Sequence, residues 1–70
     1  MSRYRIDIAD IYKQHTPLAV LIFDGSVEAW VPLQLVIIRD KNNRPVKILE
    51  EGMDIIVNMP ESVARERRFI

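Results

Sequence analysis

The residue types that could do chemistry in this chain are few and scattered. Among its 70 residues there is one histidine, His15, and there is no cysteine. A nucleophile–histidine pair or a zinc site needs several such groups converging, so neither can be assembled here. Asp7 and Asp10 form a nominal pair of carboxylates, but glycosidase-type catalysis needs two acids flanking a cleft, and nothing in the pattern builds one. Asp40, Glu50, Glu51 and Asp54 gather around a turn, short of the ligand number and spacing of a calcium loop, and read as a solvated turn. Gly25 and Gly52 are the only glycines, too few for a phosphate-cradling loop. The sequence points to a non-enzymatic protein with no metal and no cofactor.

Binding chemistry is better represented. Trp30 and Pro32 stand together, and tryptophan, with its large apolar surface and N–H donor, is enriched at interface hot spots. Leu21, Glu28 and Gln34 complete a candidate partner-binding set with Trp30 and Pro32. The competing reading is that a C-terminal helix covers Trp30 through Val63 or Phe69. Arg65, Arg67 and Arg68 are the one dense basic cluster, joined by Arg3 and Arg5 if the two ends of the chain meet. An arginine fork suits a phosphate or an acidic partner. Equally, these arginines can compensate the helix dipole, with Arg65 pairing to Glu61 one turn earlier.

The elements that must position these residues follow from patterning. Leu18–Phe23 and Val27–Val31 are apolar runs on either side of Asp24-Gly25, a strong hairpin signal. A two-residue Asp24-Gly25 loop sets Phe23 opposite Ser26, Ile22 opposite Val27 and Ala19 opposite Trp30. Alternation then gives an apolar face of Leu18, Val20, Ile22, Val27, Ala29 and Val31, and a mixed face of Ala19, Leu21, Phe23, Ser26, Glu28 and Trp30. Before the hairpin, Tyr4, Ile6 and Ile8 alternate with polar residues, whereas Ile8, Ile11 and Tyr12 fall at helical spacing. A strand with an irregularity near Ala9 accounts for both, and a single helical turn with Asp7 as N-cap is the alternative. Leu33–Leu35 reads as a short turn, Val36–Arg39 as a strand, and residues 40–45 as a polar loop. Val46–Leu49 and Asp54–Met59 read as strands, separated by a turn at Gly52. Glu61–Arg68 reads as a short helix that Val63, Ala64, Phe69 and Ile70 must dock. One domain over residues 1–70 is expected: mainly β, a small, partly open five-stranded barrel of SH3-like or OB-like kind with a short C-terminal helix.

Hydrophobic residues at 49% are too many for a disordered tail, and ten basic against ten acidic residues leave no net charge for a strongly basic nucleic-acid binder. The absence of cysteine suits a reducing compartment. The N-terminal MSRYRIDIAD lacks the apolar core of a secretory signal, and the longest apolar run, Leu18–Phe23, is far short of a membrane span. A soluble, cytoplasmic protein is expected. So small a core makes a homodimer a real option.

Asp24-Gly25, Trp30-Val31-Pro32, Gln34, and Pro60-Glu61 leading into ESVARERR resemble small proteins encoded by bacteriophages and integrated mobile elements. In that family a strand pair around an Asp-Gly-like turn precedes Trp-(Ile/Val/Leu)-Pro, and a Pro-Glu segment opens a charged helix. Leu33 stands where the family more often has a polar residue, and the 33–49 region is longer. The resemblance implies a phage setting and, as a class, interception of host machinery. The leading expectation is therefore a protein-binding module acting on a host protein complex, for example an anti-CRISPR or other anti-defence inhibitor. A single-stranded nucleic-acid-binding barrel, stacking bases on Tyr4, Tyr12, Phe23, Trp30 and Phe69, is the second. A homodimeric structural protein is the third.

Overall fold

The computed structural model describes residues 4–70. Strands β1 (Arg5–His15), β2 (Ala19–Phe23), β3 (Glu28–Pro32), β4 (Ile37–Asp40) and β5 (Asp54–Pro60) lead to helix α1 (Glu61–Glu66). The strands form one antiparallel sheet in the order β3-β2-β1-β5-β4, and its two edges do not meet. The chain is thus mainly β, five-stranded and open, with a short C-terminal helix, as its patterning predicts. No helix among the described residues is long and apolar enough to cross a membrane.

Strand β1 serves two partners. Its first part, Arg5 to Ile11, pairs with β5, and its last part, Ile11 to His15, pairs with β2. One face of the sheet carries Tyr12, Val20, Ile22, Val31, Ile55, Val57 and Met59, all buried, with Ile6 and Ile8 packed against them. Side chains alternate across a strand, so the residues between these belong to the opposite, outer face. Helix α1 lies on the core face: Val63, Ala64 and Phe69 join the same buried cluster.

The β1 irregularity falls at Lys13, between the Tyr12–Ile22 and Gln14–Leu21 pairs, and not near Ala9. Pairing with β5 runs unbroken through Ala9–Ile56, and no helical turn forms there. The bulge lies two residues past Ile11, where pairing with β5 ends, and its extra residue adds local twist to the part of β1 that pairs with β2.

The β2–β3 turn is centred one residue later than the Asp24-Gly25 loop expected. Phe23 pairs with Glu28, Ile22 with Ala29, Leu21 with Trp30 and Ala19 with Pro32. The Asp24 carboxylate accepts hydrogen bonds from the backbone N–H of Ser26 (2.8 Å) and Val27 (2.7 Å), and Gly25 takes φ 105°. An aspartate that folds the backbone onto its own side chain occupies the first turn position, which moves the tip to Gly25-Ser26. Moving the turn by one residue moves the register by two, an even step, so Val20, Ile22, Ala29 and Val31 keep the core face. Leu18 does not join them; it is 80% exposed. The Thr16 hydroxyl accepts from the N–H groups of Leu18 and Ala19, holding Pro17-Leu18 in a bend before the strand starts.

After β3 the expected short turn is a 3₁₀ helix at Leu33–Leu35, and the next strand begins at Ile37. Val46–Leu49 is not a strand. Asp40 accepts backbone N–H bonds from Asn42 (2.8 Å) and Arg44 (3.0 Å), and its own N–H donates to the Arg44 carbonyl (2.8 Å). This closes a tight loop with one bridge, Arg39–Pro45, after which Ile48 is 73% exposed.

Helix α1 ends at Glu66, before the expected Arg68. The Phe69 N–H donates to the Ala64 carbonyl (2.9 Å), the Arg68 N–H donates to Arg65 (3.1 Å), and Arg68 takes φ 64°. That is a Schellman termination, which brings Phe69 and Ala64 together in the core. Glycine normally holds the left-handed position, because a Cβ there is strained. Arg68→Gly is therefore expected to raise stability by up to about 1 kcal/mol. The check is a higher denaturant midpoint at unchanged slope; a fall would mean that the arginine side chain stabilises the terminus.

Candidate functional site

The outer face brings the partner-binding candidates together. Leu21 pairs with Trp30, Phe23 with Glu28 and Ala19 with Pro32, so these side chains form one continuous strip on β2 and β3. Trp30 is 41% exposed. The helix does not cover it: Val63 and Phe69 are in the core on the opposite face. Gln34, exposed on the 3₁₀ turn, borders a groove of about 690 Å³ that it shares with Pro17, Leu18, Ala19, Pro32 and Leu33. At the other end of the strip the Lys13 ammonium sits 5.5 Å from the centre of the Phe23 ring, a cation–π contact made available by the bulge.

Strand β3 is an edge, and its hydrogen-bonding groups are partly withdrawn. The Asp24 N–H donates to Val27 (3.1 Å) and the Leu33 N–H to Leu18 (2.9 Å), and these two rungs set the ladder's parity. Ala29 and Val31 direct their backbone groups to β2, and Glu28, Trp30 and Pro32 direct theirs outward. Arg67 Nε donates to the Trp30 carbonyl (3.2 Å), and Pro32 has no N–H. What remains is Glu28 and the Trp30 N–H, too little for a strand to be added along the whole edge. Strand β4 is shielded in turn by the Arg39–Pro45 bridge. Of the surfaces named in the sequence, the side-chain strip around Trp30 is the more available.

The arginines are largely engaged within the chain. Arg5 donates through Nε to the Asn58 side chain (2.6 Å) and through Nη2 to the carbonyls of Leu35 (2.9 Å) and Asn58 (3.2 Å). Arg65 pairs with Glu61 (2.6 Å), and Arg67 with Glu66 (3.0 Å) as well as with Trp30. Arg68 is exposed. Arg3 lies outside the described residues. Arg5 thus ties the first strand to β5 and the 3₁₀ turn, and Arg67 ties the helix end to β3.

Asp7 and Asp10 are separated by alternation. Asp7 is on the outer face and accepts from the Asn58 amide (2.8 Å); Asp10 is on the core face and only 4% exposed. Neither carboxylate oxygen of Asp10 has a hydrogen-bond partner. Burial, reinforced by the neighbouring Asp24 carboxylate, pushes its pKa from the ordinary 3.8 up to about 7. Sequence reasoning missed this residue's position, although a signal was present. Ile6, Ile8, Asp10 and Tyr12 alternate without a break, and inserting an irregularity at Ala9 moved Asp10 off the core face. Among the described residues, no three His, Asp or Glu side chains gather where they could hold a metal ion. His15, at the end of β1, shares a 2.6 Å hydrogen bond through Nδ1 with the Tyr12 hydroxyl.

Comparison of the chain with protein-family models, curated proteins and solved structures found no match.

Proposed function

We propose that this protein is a non-enzymatic protein-binding module that docks through the Trp30 strip. The observation that carries this reading is a tryptophan 41% exposed in the middle of an edge strand, flanked by Leu21 and Pro32. A small domain that needed this side chain for stability would bury it, since full burial of a large apolar side chain contributes about 1.5–3 kcal/mol. Its exposure is a cost borne for contact. The resemblance to small phage-encoded proteins supports a partner in a phage-infected bacterial host, with a host defence complex as the concrete target class and the cytoplasm as the proposed setting. The nucleic-acid reading is less favoured, because Arg5, Arg65 and Arg67 already have partners within the chain.

Trp30→Ala is expected to abolish capture of a bacterial protein by the tagged chain while leaving the far-UV spectrum intact and the melting temperature nearly so. The wild-type complex should survive nuclease and a high-salt wash, because apolar docking is much less salt-sensitive than phosphate binding. If the captured material is nucleic acid that salt releases, the second reading replaces the first. Melting that rises with protein concentration, and loses that dependence in Trp30→Ala, would make the strip a self-interface.

A further inference from the structure

Ile11–Phe23 is the last pair between β1 and β2 before the two strands part. One step further along are Asp10 and Asp24, and the rung before, Tyr12–Ile22, faces the core. Alternation therefore aims both carboxyl groups to the same side, opposite one another, at the point where the turn leaves β1. Like charges directly opposite across strands repel. The two groups have unequal freedom. Asp24 Oδ1 accepts two backbone N–H bonds that shape the turn, which an ionised carboxylate does best. Asp10 is enclosed, with both oxygens unpartnered.

The charged groups around Asp10 do not offer a counterion. From its own strand, the Tyr12 hydroxyl is taken by His15. From β4, Asp40 shares the Ile55 position that also pairs with Asp10, and its carboxylate is used by Asn42 and Arg44. On α1, Glu61 pairs with Arg65 and Glu66 with Arg67. Lys41 and Asp54 border the adjoining notch of about 380 Å³, together with Asp10, Phe23, Asp24 and Gly25, and Lys41 makes no ion pair with Asp10.

We infer that the β2–β3 turn is a proton-operated latch, in which residues 24–27 stay closed against β1 while Asp10 is protonated and swing away when it ionises. The neutral acid is tolerated among Tyr12, Ile22 and Ile55. The anion must find water, and the turn residues Asp24 and Gly25, which border the same notch as Asp10, lie beyond the last β1–β2 pair and can move without breaking a ladder bond to β1. Because burial and Asp24 bring the titration of Asp10 to about 7, the latch would work near neutrality.

The test follows the side-chain carboxyl carbons of Asp10 and Asp24, and the amide protons of Ser26 and Val27, by NMR from pH 5 to 9. The expected result is one shared midpoint near 7 for the Asp10 carbon and both amides. In Asp10→Asn the amide transition should vanish, with the closed-state shifts held throughout. Asp24→Asn keeps an oxygen acceptor for the turn but removes the opposing charge, so the Asp10 midpoint should fall. It serves alone if Asp10→Asn does not fold. Lys41→Met should leave the transition in place. The latch is overturned if Asp10 titrates near 4, if the amides move without it, or if the transition disappears in Lys41→Met, which would assign it to a lysine contact.

Discussion

Ile22→Ala is expected to destabilise the fold by about 2–5 kcal/mol, the cost of emptying a site whose surroundings relax only in part. Ile22 is completely buried in β2, between its Tyr12 partner on one side and its Ala29 partner on the other. A domain of this size has total stability of only several kcal/mol, so the variant should lose half or more of it. At about 4–8 °C per kcal/mol for small domains, the melting temperature should fall by tens of degrees. Ile48→Ala is the matching control: the same chemical deletion at a side chain 73% exposed should change stability by no more than about 0.5 kcal/mol. Similar losses at the two positions, read by chemical denaturation, would contradict the assignment of the core to this one face.

The second large effect is a fall in stability as pH rises from the ordinary carboxylate value of 3.8 to about 7, with little further change above that. The folded-state pKa of Asp10 is raised from 3.8 to about 7, so the native state holds a proton that the unfolded chain has released. Stability then decreases with pH wherever the native state binds more protons. The contribution is fully present below the unfolded value and is lost as pH rises through the folded one. Across that interval the loss amounts to about 4 kcal/mol, at about 1.4 kcal/mol per pH unit. Denaturant unfolding at pH 5, 7 and 9 should show the decline in the wild type. Asp10→Asn should flatten it and be the more stable protein at pH 9. A wild-type curve flat over this range would show that Asp10 is solvated or paired in solution.

Much of the architecture is legible in the residues themselves, for reasons that differ by element. The β2–β3 hairpin shows in its alternation, and the core face survives a turn displaced by one residue because a two-residue register step restores the same side. The helix is legible from Pro60-Glu61 and the arginines after it. Its end is not, since Arg68 stands where a glycine would have marked the Schellman turn. Val46–Leu49 has strand-like residue types, but the loop folded by Asp40 leaves Ile48 with nothing to pack against. Leu21, Glu28, Trp30 and Pro32 could be grouped as one strip from alternation alone. That the strip stays open depends on which face the helix chooses, and two turns of Val63, Ala64 and Phe69 carry no address for either face. Asp10 was hidden by the ordinary expectation that an aspartate faces water.

The long first strand, shared between two neighbours, also dictates an order of assembly. Its later half meets β2 across only a few intervening residues, and β3 follows by a tight turn, so this meander can form from contacts near in sequence. The earlier half has to wait for β5, which returns from nearly the other end of the chain, and closing so wide a loop is entropically costly before any contact rewards it. A nascent chain would therefore carry half of β1 as an unpaired ribbon until β5 emerged, with Ile6 and Ile8 uncovered in the interval. The free carboxyl of Asp10 sits at the junction between the early seam and the late one, where a polar, ionised side chain keeps that waiting segment in water until the partner strand arrives.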